Sequence, residues 1–199
     1  MAELFAEEGA NVVLTARGQD KLDEAVERIR AKGGNAVGVI ADVCSTEDTR
    51  KVMDTALREF GDLDILINNA GIGEQKMIDE TEDDWMRFVM DTNLGGPMRY
   101  IREALKIFLP KNVAMRLVDT NIRCNAVAPG ATVTPAHLAN KAGEQPGGAK
   151  MLEYSGHYVY FPGPECDPMD QAYACLYLAS KMGRAVRGQV LQVCNGAFL

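Results

Sequence analysis

The chain has 199 residues, 47% of them hydrophobic and 25% charged, with a formal net charge of −7. That composition suits one soluble globular domain with enough material for a substantial core, and the negative balance makes nucleic acid an unexpected partner. The five cysteines and two histidines are scattered and form no Cys-x-x-Cys pair; this argues against a metal site and fits reduced thiols in a cytoplasmic protein.

Residues 1–8 are acidic and too short in apolar length for a signal peptide or membrane span. Ala, Leu and Phe beside Glu over residues 2–8 give a helical pattern that stops at Gly9. Asn11 to Thr15 reads as a strand. Asp20 to Lys32 places Leu22, Ala25, Val26 and Ile29 at helical spacing before Gly33-Gly34. Ala36 to Ala41 is the next strand, and Ser45 caps a helix with an acidic first turn that ends at Gly61. Alternation of strands and helices predicts a parallel sheet covered on both faces.

Leu63 to Gly71 is the pivotal stretch. Ile65 to Ile67 reads as a strand buried on both faces, closed by Asn68-Asn69-Ala70-Gly71. Ligands of open α/β sheets bind outside the carboxyl ends of the strands. Thr81 to about Pro110 is a long helix, bent near Gly95-Gly96-Pro97, with Trp85 read as a core or interface aromatic. Ile122 to Val127 is a strand ending at Ala128-Pro129-Gly130. Residues 131–168 lack clear periodicity and suit a substrate lid. Asp170 to Met182 is a helix, and Gly188 to Cys194 the last strand. Cys124, Cys175 and Cys194 read as small buried apolar residues.

Asn-Asn-Ala-Gly after an aliphatic strand resembles a signature of the short-chain dehydrogenase/reductase family. Arg123 to Gly130 with Thr134 resembles that family's sixth strand and Pro-Gly motif, and Gly188 to Gly196 its last strand. The resemblance covers nearly the whole chain. It implies a single α/β domain over residues 1–199, a Rossmann-like three-layer sandwich with a parallel sheet. It implies hydride transfer between NADP(H) and a carbonyl or secondary alcohol, so a small-molecule substrate, with a homo-oligomer as a further expectation.

Carried over residue by residue, the resemblance makes Asn93 the catalytic asparagine that holds a relay water. Asp42 and Val43 become the adenine contacts, and Asn69, Ala70 and Gly71 the ribose side. Pro129, Gly130 and Thr134 face the nicotinamide and its phosphate. Arg17, just after the second family strand, would pair with a 2′-phosphate where an acidic residue would instead bind a free 2′-hydroxyl. That favours NADP, with NAD the alternative.

Two family segments have no match. No G-x-x-x-G-x-G turn is present, and residues 111–121, where the serine and the Tyr-x-x-x-Lys pair are expected, contain neither serine nor tyrosine. Tyr177 and Lys181 have the right spacing but follow the Pro-Gly motif, so they read as packing residues. The family's first and fifth strands look deleted, which predicts either a compacted strand order 3-2-4-6-7 or a chain of low stability with exposed edges. The competing function is a non-catalytic remnant or nucleotide-binding module.

Overall fold

The computed structural model describes residues 1–73, 81–108, 122–142 and 165–195. The chain divides into two compact units, an N-terminal one of residues 2–72 and 86–122 and a C-terminal one of residues 73–85 and 123–199 with Met1.

In the N-terminal unit, helix α1 (Ala2–Glu7) buries Leu4, Phe5 and Ala6 and gives way to Gly9 at φ 89°. Strand β1 (Val12–Ala16) pairs in parallel with β2 (Ala36–Ile40), Val12 opposite Ala36 and Ala16 opposite Ile40. Parallel pairing needs a crossover, and α2 (Gln19–Ala31) supplies it, with Leu22, Val26 and Ile29 on its buried face. Helix α3 (Thr46–Phe60) starts at Ser45, whose hydroxyl accepts from the Asp48 amide at 3.1 Å, and stops at left-handed Gly61.

Side chains alternate across the two strands as a pleat requires. Val12, Leu14 and Ala36 pack with Ala6, Val26 and Ile29 on the α1/α2 side. Val13 and Val39 pack with Val52, Met53, Tyr100 and Ala104 on the other side, where α3 and α5 (Gly96–Phe108) lie. The unit is a helix–sheet–helix sandwich, so the expected three-layer architecture is present locally.

The pivotal stretch departs from expectation. Residues 62–73 form no strand. Leu63 and Leu66 pack on the α3/α5 core, whereas Ile65 and Ile67 are 43% and 38% exposed. The compacted five-strand order is not formed among the described residues, which hold two separate two-stranded sheets, β1–β2 and β3–β4. The physical reason is the lack of a described neighbour on either edge of the ribbon. A parallel strand gains its ladder hydrogen bonds only from neighbours, so this ribbon keeps the apolar contacts of Leu63 and Leu66 without a backbone ladder.

The long helix is formed as α4 (Asp83–Met90), a π turn (Asp91–Gly95) and α5. The expected bend is this wide turn, closed by the Gly96 amide donating to the Asp91 carbonyl. Residues 111–121, the interval that holds neither serine nor tyrosine, lie outside the described residues.

In the C-terminal unit, β3 (Ala126–Pro129) pairs in parallel with β4 (Val190–Val193). β3 begins later than the expected Ile122: the Gln189 amide goes to the Asn125 side chain, and the ladder with β4 starts at Ala126. The Arg123 guanidinium donates to the carbonyls of Leu178, of Gly183 at 2.8 Å and of Ala179 at 3.2 Å. Asn125 donates to the Val186 carbonyl at 3.0 Å and accepts from the Gln189 amide at 3.0 Å. Within the expected lid, α6 (Pro135–Lys141) is a helix the sequence reading missed, and Thr132 bridges to Cys166. Helix α7 (Pro168–Ala179) carries a capping box between Asp167 and Asp170. Of the cysteines expected inside, Cys175 and Cys194 are half-buried, but Cys124 is exposed; its carbonyl accepts from the Gly188 amide just ahead of the sheet.

Candidate functional site

The carboxyl ends of β1 and β2 are held side by side by the Ala41 amide donating to the Ala16 carbonyl at 3.0 Å. Arg17 and Asp42 directly follow those two residues. Arg17 is exposed and has no ion-pair partner among the described residues. Asp42 is half-buried and fixed twice: its amide donates to Asp48 Oδ2 and its Oδ1 accepts from the Cys44 amide, both at 2.9 Å.

Val43, the next residue, packs against Gly96. A Cβ on Gly96 would lie 3.0 Å from Val43 Cβ, so any larger residue there would push Val43 back by a few tenths of an ångström. The Cys44 thiol lies 3.5 Å from the Thr92 hydroxyl, and burial pushes that thiol above its ordinary range, keeping it protonated and unreactive.

Asn93 sits in the π turn and grips the backbone just past the Asn-Asn-Ala-Gly turn. Its Oδ1 accepts from the Ile72 amide at 2.8 Å and its Nδ2 donates to the Ile72 carbonyl at 2.7 Å. A Cβ on Gly71 would lie 3.5 Å from the same Oδ1. Asn69, Ala70 and Gly71 themselves are exposed. One donor and one acceptor of the Asn93 carboxamide are committed to Ile72.

One pair the sequence reading missed supports the same turn. Arg99 Nη2 binds Asp91 Oδ1 at 2.5 Å, and Arg99 Nη1 reaches the carbonyls of Val43 at 3.4 Å and Asp91 at 3.5 Å. The guanidinium holds the Asp91 carboxyl below the usual carboxylate range. The pair is thus intact at neutral pH; its contribution fades only as acid protonates Asp91. The eight-residue spacing hid it, since helix pairs are sought three or four residues apart.

Pro129, Gly130 and Thr134 belong to the C-terminal unit. Gly130 donates its amide to the Val193 carbonyl at 2.8 Å, and a Cβ there would fall 2.6 Å from the Cys194 backbone. Thr134 caps α6, its hydroxyl accepting from the His137 amide at 3.1 Å. His137, read as isolated, pairs through Nε2 with Glu165 Oε1 at 2.8 Å. Tyr177 is exposed on α7, but that helix ends at Ala179 and Lys181 lies in the following 3-10 turn, so the two do not share a helix face. No group of metal-binding side chains is present among the described residues, and no described helix is long and apolar enough to cross a membrane.

Comparison with known proteins identifies the family. Residues 1–114 match the family model for short chain dehydrogenase, and residues 107–197 match one described as enoyl-(acyl carrier protein) reductase. The chain is 31% identical to glucose 1-dehydrogenase 2 of Bacillus subtilis over 238 residues, covering 100% of this chain and 89% of that protein. It is 32% identical to 3beta-hydroxysteroid dehydrogenase 1 of Eggerthella lenta over 241 residues, covering 100% and 88%. Both alignments run longer than the 199 residues here, so each relative carries residues inside the matched span that this chain lacks.

Among solved structures, L-sorbose reductase from Gluconobacter frateurii, complexed with NADPH and L-sorbose, superposes with a TM-score of 0.83. It is 24% identical, with 99% of this chain and 90% of that one covered. A 7 alpha-hydroxysteroid dehydrogenase complexed with NADH and 7-oxo glycochenodeoxycholic acid gives 0.82 at 23% identity, covering 98% and 88%. These two likenesses are of fold. With a family model over more than half its length and relatives above 30% identity across all of it, the chain belongs to the short-chain dehydrogenase/reductase family of NAD(P)-dependent oxidoreductases.

Proposed function

We propose that this chain binds NADP(H) through its adenosine end and does not itself turn over a substrate. The family reaction is hydride transfer between the cofactor and a carbonyl or secondary alcohol. It needs a tyrosine as proton donor, and residues 111–121 hold no tyrosine and no serine. General acid–base help of that kind contributes roughly a hundredfold to ten-thousandfold in rate.

The observation that carries the binding half is the pair of tied strand ends with exposed Arg17 beside the fixed Asp42–Val43 loop. Arg17 supplies a planar set of donors suited to a 2′-phosphate. Asp42 and Val43 are assigned to the adenine, and Asn69, Ala70 and Gly71 to the ribose side. Asn93 is assigned to keeping the Gly71–Ile72 backbone in place, and Pro129, Gly130 and Thr134 to the nicotinamide end. NAD remains the weaker ligand in this reading.

NADPH fluorescence titration tests it, together with a panel of ketones and secondary alcohols. Micromolar binding without turnover supports the proposal; sustained oxidation of NADPH by any ketone overturns it. A second reading, self-association, has its own observation. Met86, Met90, Leu94, Met98 and Ile101 form an exposed apolar stripe along α4, the π turn and α5. Sedimentation should then show a homo-oligomer that Met90→Lys disrupts.

A further inference from the structure

We infer that Arg99 is a positioning residue that makes the adenine-side loop and the Asn93 turn move as one body. This rests on the reading that both face a nicotinamide dinucleotide, but the linkage itself is a matter of geometry. Two segments far apart in sequence meet around this guanidinium. One is the loop after β2, Asp42 to Ser45; the other is the π turn with the first residues of α5, Asp91 to Arg99.

Three contacts join them. Cys44 Sγ lies 3.5 Å from Thr92 Oγ1. Val43 presses on Gly96. Arg99 bridges the Val43 carbonyl at 3.4 Å and the Asp91 carboxylate at 2.5 Å. The first is a weak thiol contact and the second is non-directional. Only the Arg99 bridge combines charge with fixed direction. Its side chain is four-fifths buried, which strengthens the pair relative to one in water.

The chain of contacts continues past the π turn. Asn93 holds both backbone groups of Ile72, directly after the Asn-Asn-Ala-Gly turn. Residues 61–73 have no strand ladder to fix them. The Asn-Asn-Ala-Gly turn therefore depends on the π turn for its position, and the π turn depends on Arg99. A ligand that orders the Asp42–Ser45 loop is thereby coupled to the turn some thirty residues further along the chain. A lysine cannot replace this function, because one ammonium cannot direct separate N–H donors at the carbonyl and the carboxylate.

Hydrogen exchange on the full chain tests the inference. Without ligand, Arg99→Ala should speed exchange of the Ile72 amide about tenfold while Ala41, in the β1–β2 ladder, stays unchanged. Arg99→Lys should restore only part of the protection. Unchanged Ile72 exchange in Arg99→Ala overturns the inference, as does equal acceleration at Ala41, which means general destabilisation. The second arm uses 2′,5′-ADP as the probe. It should slow exchange at Asp42–Ser45 and at Ile72 in the wild type, but only at Asp42–Ser45 in Arg99→Ala. Slowing at Ile72 in both proteins also overturns it. Failure of the probe to bind wild type strikes at the cofactor reading instead, and the ligand-free comparison still decides the role of Arg99.

Discussion

Two aliphatic ribbons in the N-terminal unit begin alike and end differently. β1 follows helix α1 and left-handed Gly9; residues 63–67 follow helix α3 and left-handed Gly61. Both carry branched aliphatic residues and both are followed at their carboxyl ends by residues assigned above to the cofactor. β1 acquires β2 through the α2 crossover and becomes a strand. The second ribbon anchors Leu63 and Leu66 in the core and turns Ile65 and Ile67 outward. Hydrophobic pattern alone thus drives burial of a segment, whereas a strand also needs a second backbone within reach.

One isoleucine from each region puts that contrast to its most severe test. Ile29, on the crossover helix under β1, is 1% exposed and sits among Ala6, Val26 and Ala36. Ile29→Ala should cost about 2–5 kcal/mol through lost burial and the cavity left behind. Ile65→Ala should change stability by no more than about 0.5 kcal/mol. Denaturant unfolding of both variants reads the difference, and equal losses would place Ile65 in a core. Exchange of the Ile65–Ile67 amides should be rapid, and that of Val12 and Ala41 slow. Strong protection of Ile65–Ile67 would mean the ribbon has found a partner strand.

The β3–β4 pair sharpens the comparison, because there a side chain secures what surrounds the ladder. Arg123, just before β3, fastens the end of α7 through the carbonyls of Leu178, Ala179 and Gly183. Arg123→Ala should lose roughly 2–3 kcal/mol, the scale of hydrogen bonds to a charged group. Arg123→Lys should recover little, since an ammonium lacks the fork. Chemical denaturation with a probe in α7 measures this. A silent Arg123→Ala variant would show that the β3–β4 pair and α7 hold without it.

What the sequence disclosed follows the same division. Ser45, Gly9 and Gly61 mark helix ends by chemistry within a few residues, and all three are where expected. That Arg17 and Asp42 lie just past two strand ends was legible because strands β1 and β2 were, and a strand's carboxyl end is a fixed place. The fate of Ile65 was not legible, since it depends on which other strands exist. The Thr134-Pro135 start of α6 carried a cap signal, but the sparse periodicity after it masked the helix. Arg99 and Asp91 escaped notice because a π turn lies between them and shifts the helical register. The direction of the Asn93 side chain, toward Ile72 instead of solvent, is likewise a product of that turn.

The smallest expected effect separates local from non-local control most cleanly. Ser45 accepts from the Asp48 amide at 3.1 Å, and Asp48 in turn accepts from the Asp42 amide at 2.9 Å. Ser45→Ala removes the cap and should cost about 1 kcal/mol, while Ser45→Asp should keep most of it, because aspartate caps as well and favours the positive end of the helix. Thermal unfolding reads both. The loss should fall on α3 and on the Asp42 loop that the cap secures, with exchange rising at Asp48 and Asp42. It should leave Ile65–Ile67 unchanged, because amides already open to water have no protection to lose. A parallel rise there would mean that the helix end upstream governs the ribbon, and the distinction between the two regions would rest on α3 instead of on the lack of a paired strand among the described residues.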